Sequence, residues 1–153
     1  MSATEPTDAV LDRILVRYHD KHREELAWLV SLSRTVEKVH AAHAEVPKGL
    51  GDLMAALHED IEAEMQREED EVFPLMRRGD AAALAGAVTR MRESHRRHAE
   101  GFARIRAATN GLHLPADACR TWTTLYEALA TFGDDLRDHI ALEDEVLLPR
   151  FAA

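Results

Sequence analysis

An all-α fold, an up-down-up-down four-helix bundle, is predicted by three features of the sequence. Apolar residues recur along the 153 residues at helical spacing, no stretch alternates as a strand does, and clusters of turn residues divide the chain into four long segments. Helices joined by short connections pack as antiparallel neighbours, which makes the bundle the economical arrangement. The length suits one domain with a single core over residues 1–153, of which residues 1–7 are expected to form a disordered tail.

The first segment carries Leu11, Leu15, Leu26, Leu29 and Val36 on one face, and Pro47-Lys48-Gly49 ends the approach to the next. In the second, Leu50, Leu53, Leu57 and Ile61 form the stripe; Arg78-Gly79-Asp80 breaks it. The third is marked by Leu84, Val88, Met91, Phe102 and Ile105 and closes at Asn110-Gly111, with Pro115 beyond. Trp122, Leu125, Leu129, Phe132, Leu136 and Ile140 mark the fourth. Pro74 and Pro149 fall near the ends of the second and fourth segments, where a proline is expected to kink or stop a helix.

Composition narrows the function. With 28 acidic against 19 basic residues the formal charge is −9, which argues against nucleic acid or an anionic membrane as partner, since both select a basic face. The start lacks the basic and then apolar run of a secretory signal, so the expected location is the cytoplasm. A single cysteine, Cys119, makes no internal disulfide and no thiolate metal site alone. Nine histidines are more informative, several of them beside carboxylates.

An internal repeat carries the chemistry. The stretch Glu64-Met65-Gln66-Arg67-Glu68 through Pro74 can be laid on His139-Ile140-Ala141-Leu142-Glu143 through Pro149, each reading as a candidate ligand, three residues, a Glu, five residues and a Pro. Upstream, His19-Asp20-Lys21-His22-Arg23-Glu24 echoes His95-Arg96-Arg97-His98-Ala99-Glu100. The step from His19 to Glu64 is 45 positions and that from His95 to His139 is 44, so the halves read as two copies of one helical hairpin. Residues four apart share a helix face about 5.4 Å apart along the axis, so Glu64 with Glu68, and His139 with Glu143, each aim two donors at one place. Pairing the hairpins about a pseudo-two-fold axis gathers His19, Glu64, Glu68, His95, His139 and Glu143 at the bundle centre. Carboxylates with imidazoles and no thiolate favour iron or manganese, with Glu68 and Glu143 placed to bridge two ions. Taken singly, each element has an ordinary reading: an acidic run such as Glu68 to Glu71 is usually a solvated face, and a His four residues from a Glu is a common surface pair. The joint pattern, one candidate on each of four helices, is what favours a metal.

These residues, together with Val36-Glu37-Lys38-Val39-His40, Val46-Pro47-Lys48-Gly49-Leu50 and Ala118-Cys119-Arg120-Thr121-Trp122, resemble the hemerythrin-like (HHE) di-iron domain of the RIC (repair of iron centres) proteins, from about Asp8 onward. The resemblance implies two non-haem iron ions bridged by carboxylates and oxide, with Glu68 and Glu143 bridging and His19, His95 and His139 as terminal imidazoles. It also implies a role in nitric oxide and oxidative stress, restoring damaged iron–sulfur clusters or other iron centres. His40 matches a further family histidine, but on one continuous helix it lies ~31 Å from His19 and cannot share its site. Two departures stand out. Family members carry a small N-terminal domain with paired cysteines, whereas this chain begins at the bundle, so thiol-dependent steps are expected from another protein. The family's histidine before the Met at 65 is Glu64 here, a harder, anionic ligand. His98 is a candidate compensation, either as a ligand or as a hydrogen-bond partner of Glu64, the alternative being a buried histidine satisfied by a neighbouring carboxylate. Its repeat counterpart, His22, competes with His19 on the apolar stripe; family and repeat spacing favour His19.

Three functions are compatible with such a site: iron-centre repair or iron donation to iron–sulfur proteins, an enzyme reducing nitric oxide or decomposing peroxide, and an O2 or NO sensor. A plain helical interaction module is the metal-free alternative. The acidity itself is local. Residues 58–71 hold eight acids and one base, and residues 134–145 hold six acids and one base, contributing −7 and −5 of the −9 and leaving +3 for the remainder. The charge therefore collects at the two repeated motifs.

Overall fold

The computed structural model describes residues 5–152, and among them forms four helices and no strand. Residues 1–4 of the expected tail lie outside the described residues; Glu5 pairs with Arg13 at 2.9 Å and helix begins at Thr7. Helix α1 runs over residues 7–39, α2 over 50–78, α3 over Ala81–Ala108 and α4 over 120–150. Each packs on its two sequence neighbours, and α4 closes on α1, which gives the expected bundle.

The predicted breakers act through identifiable chemistry. Gly79 takes a left-handed conformation (φ 70°) that a side chain would disfavour, and the N–H groups of Gly79 and Asp80 cap the carbonyls of Met76 and Leu75. Asp80 then caps α3 by accepting from the N–H of Ala83 at 3.2 Å. At the start of α4 the Cys119 sulfur accepts from the N–H of Trp122 at 3.5 Å. His40 also sits at this end, its Nε2 3.1 Å from the Cys119 sulfur and its ring 4.8 Å from that of Trp122.

Pro74 does not stop α2, which continues to Arg78, and the reason is a widened turn immediately before it. Residues Glu68–Val72 are π-helical, and the N–H of Phe73 bonds to the carbonyl of Glu68, five residues back. The extra residue absorbs the clash and the missing donor that a proline brings to an α-helix. The second motif repeats the device: Leu142–Leu147 is π-helical, the Leu148 N–H bonds to the Glu143 carbonyl, and Pro149 follows in a final 3₁₀ turn. A third widened turn, Ile14–His19, interrupts α1. Three of the helices thus depart from α geometry where a candidate ligand sits.

The apolar core is split along the bundle axis. One part gathers Leu26, Leu29, Met54, Trp122, Leu129 and Phe132 with their neighbours. The other gathers Val10, Ile14, Phe73, Met76, Met91 and Leu148. Between them lie the buried polar side chains of His19, Glu64, Glu68, His95, His139 and Glu143. No helix among the described residues is long and apolar enough to cross a membrane.

The Phe102 ring of α3 packs directly on Gly133 of α4, where an added Cβ would meet it at 2.5 Å. Gly133→Ala should therefore destabilise the protein. Overpacking costs ~1–3 kcal/mol, against the ~1 kcal/mol that alanine returns in helix propensity. Urea unfolding checks this, and a stabilised variant would show that the ring has room to move.

Candidate metal centre

The widened turns place the side chains. At the C-terminal end of the first, His19 enters the bundle fully buried, while the second begins at Glu68 and the third holds Glu143. His139 lies one turn before Glu143, and Glu64 one turn before Glu68. The third helix contributes His95 and His98 from an unbroken α-helix. All six sequence-predicted residues are brought to one level, none more than 6% exposed. Carboxylates so far from water require a compensating charge or a proton.

Four of them, His19, Glu68, His139 and Glu143, each offer a ligand atom within 4.8 Å of the others. His19 Nε2 stands 3.1 Å from Glu68 Oε1, and His139 Nε2 stands 2.6 Å from Glu143 Oε1. Glu143 meets both histidines of its own half, its other oxygen lying 2.9 Å from His95 Nε2, and shares the four-residue group with His19 and Glu68 of the first half. Glu64 and His95 line a small cavity of about 10 Å³ together with Glu68, His98 and His139.

The surroundings fix which ring atoms face inward. His19 Nδ1 lies 2.7 Å from Glu69 Oε2, and His95 Nδ1 lies 2.7 Å from Asp144 Oδ1. A carboxylate only accepts, so each Nδ1 carries a proton and donates it. In the neutral ring, Nε2 is left with a lone pair pointing to the centre, the arrangement of a metal-bound imidazole. His19 Nε2 and Glu68 Oε1 in fact have no hydrogen-bond partner although both are buried. Arg23 holds Glu69 at 2.8 Å, and Arg92 stands 3.8 Å from Asp144. His139 is supported differently: its Nδ1 meets His22 Nε2 at 3.1 Å, and Tyr18 stacks on its ring at 5.1 Å. Glu64 receives hydrogen bonds through one oxygen, from Ser94 at 2.8 Å and from Arg67, and its other oxygen is unpartnered.

Electrostatics follow from this crowding. Burial, then the neighbouring Glu143 and Glu64, raise Glu68 well above the usual carboxylate range, so it holds a proton when no cation is present. Burial pushes Glu143 the same way, but His139 and His95 outweigh it and hold Glu143 ionised. His95 is pushed down by burial and more strongly up by Asp144 and Glu143, to about 10. His22 is driven down to about 3 by burial and by His139 and His19, so it is neutral.

The structure separates the histidines that the sequence left in competition. His19 faces the carboxylates, and His22 stands behind His139. His40 lies at the far end beside Cys119. His98 makes no hydrogen bond to Glu64, and its Nε2 is unpartnered rather than satisfied by a carboxylate. Of the acidic run, Asp70 and Glu71 are exposed as a solvated face would be. Glu69, by contrast, turns inward to His19. Glu69 and Asp144 each follow a central Glu, so the repeat itself carried the signal for them. Ser94 and Arg67 left no comparable trace.

A family model described as the hemerythrin HHE cation binding domain matches residues 10–151. The iron–sulfur cluster repair protein YtfE of Escherichia coli (strain K12 / DH10B) is 39% identical over 148 residues, which covers 97% of this chain and 67% of that protein. The protein of the same name from Shigella boydii serotype 18 matches over the same shares, also at 39% identity.

The position of His95 predicts a pH signature in the metal-free protein. Its pKa is raised from 6.5 to about 10 on folding, so its contribution is full below pH 6.5 and is lost as pH rises through 10. His95→Gln should therefore cost most stability at about pH 6 and least at about pH 9.5. Urea titrations of the two proteins across this range check it; a cost that grows with pH would contradict it.

Proposed function

The chain belongs to the family of hemerythrin HHE cation-binding domains, and we propose that it holds two iron ions in its buried His/Glu layer and serves in the repair of damaged iron–sulfur or other iron centres. The observation that carries the metal reading is the pair of buried atoms, His19 Nε2 and Glu68 Oε1, which lie 3.1 Å apart with no hydrogen-bond partner. Two acceptors so placed repel unless a proton or a cation lies between them. The repair role is supported by the relatives' description as iron–sulfur cluster repair proteins.

In this reading His19 and His139 hold one ion, Glu64 and His95 the other, and Glu68 and Glu143 reach both. Bound iron would supply a redox-active Lewis acid in a site shielded from bulk water. The chain's own residues do the positioning. Glu69 and Asp144 fix the tautomers of His19 and His95, Arg23 braces Glu69, and His22 with Tyr18 sets the plane of His139. Loading must displace the protons held on Glu68 and His95, so affinity rises with pH. Nitrogen and carboxylate oxygen donors also suit manganese, with iron favoured by the relatives.

For an iron donor the ions are cargo, and the partners are iron–sulfur proteins. The cavity beside Glu64, Glu68 and His95 favours a second reading, in which a small molecule such as NO, O2 or peroxide reaches the metal and is sensed or turned over.

Metal analysis of protein loaded anaerobically with Fe(II) and then oxidised should give two irons per chain and a near-ultraviolet charge-transfer band. Glu68→Ala, which removes a ligand common to both ions, should lose most of both. To test repair, the loaded protein is incubated with a nitric-oxide-damaged iron–sulfur enzyme whose activity and cluster absorbance are followed. Recovery with wild type and none with Glu68→Ala is expected; nitrous oxide formation over many turnovers, with an added reductant supplying the two electrons that each nitrous oxide requires and with no loss of iron, would favour the second reading instead.

A further inference from the structure

We propose that His98, through Nε2, is a direct ligand of the second ion, beside Glu64 and His95; this deepens the two-metal reading above and rests on it. His98 lies one turn beyond His95 on α3 and is only 4% exposed. Nε2 is the buried atom left without a partner, and His98 lines the same cavity as Glu64, Glu68 and His95. A buried imidazole left with an unpartnered Nε2 beside a cavity that carboxylates share is how proteins present a histidine to a metal.

The broken symmetry of the repeat explains why the two equivalent histidines differ. His22, in the first hairpin, spends its Nε2 on His139 Nδ1 and so supports a ligand from behind. The residue equivalent to His139 in the other half is Glu64, whose outer oxygen is already taken by Ser94 and Arg67. A carboxylate there offers no Nδ1 for a histidine to support. His98 Nε2 is therefore free, and leaving a buried ring nitrogen unpaired has a cost that a ligand removes. With His98 in place, the two ions have two imidazoles each. Glu64 then adds negative charge to the second site without lowering its nitrogen count.

The test uses full-length protein labelled with ¹⁵N-histidine and titrated anaerobically with Fe(II). Each imidazole bound through Nε2 gives one hyperfine-shifted Nδ1–H resonance. The wild type should show four of them, from His19, His95, His98 and His139. His98→Gln should lose one, and should bind its second iron at least tenfold more weakly with the first unchanged. Three shifted resonances in the wild type, or a His98→Gln variant with the same spectrum and the same two affinities, would overturn the assignment while leaving the two-iron reading intact. Binding of fewer than two irons by the wild type would remove that reading and this one together. Should His98→Gln fail to show a native far-ultraviolet circular dichroism spectrum, the wild-type resonance count decides alone.

Discussion

Burial of charge is the constraint on which the rest of the molecule depends. Glu64, Glu68 and Glu143 are at most 3% exposed and lie between two apolar cores, where an uncompensated carboxylate is untenable. Every specialised feature nearby answers that constraint. The widened turns in α1, α2 and α4 bring His19, Glu68 and Glu143 to one level, and Gly133 makes room for the Phe102 ring. Without a cation, the layer survives by holding protons on Glu68 and His95. In the proposed reading a divalent cation would replace those protons, so the residues whose burial is costly are the ones that would bind it.

The two hairpins solve the problem by the same means. Each central Glu is followed by an acid that fixes the histidine of its own hairpin: Glu69 for His19, and Asp144 for His95. Each is also followed, six positions on, by a proline that the widened turn accommodates. The halves part at Glu64 and His139. There one side has an imidazole backed by His22, and the other has a carboxylate backed by Ser94 and Arg67. This makes one proposed subsite richer in oxygen than the other, a difference expected to show in the redox behaviour of the two ions.

Much of this was legible in the sequence, for physical reasons. The helices follow from 3.6-residue periodicity and from glycines placed where a left-handed turn is required, as at Gly79. The six central residues follow from the joint pattern, since candidates at helical spacing on each of four helices can share one level of the bundle. What the periodicity could not supply was the extra residue in each widened turn. Pro74 read as a kink or an end because proline is incompatible with a regular α-helix, and the chain's answer was to widen the helix rather than end it. The acidic run Glu68 to Glu71 hid the inward turn of Glu69 for the same reason, since a π-turn alters which residues share a face. The supports of Glu64 come from different helices, Ser94 from α3 and Arg67 from α2, and depend on packing that no local pattern encodes.

Anomalous diffraction at the iron absorption edge, recorded on crystals of the iron-loaded protein, addresses the buried layer most directly. The proposed site predicts two peaks per chain, one between His19 and His139 and the other between Glu64 and His95, with Glu68 and Glu143 reaching both. A single peak, or none at this level of the bundle, would contradict it.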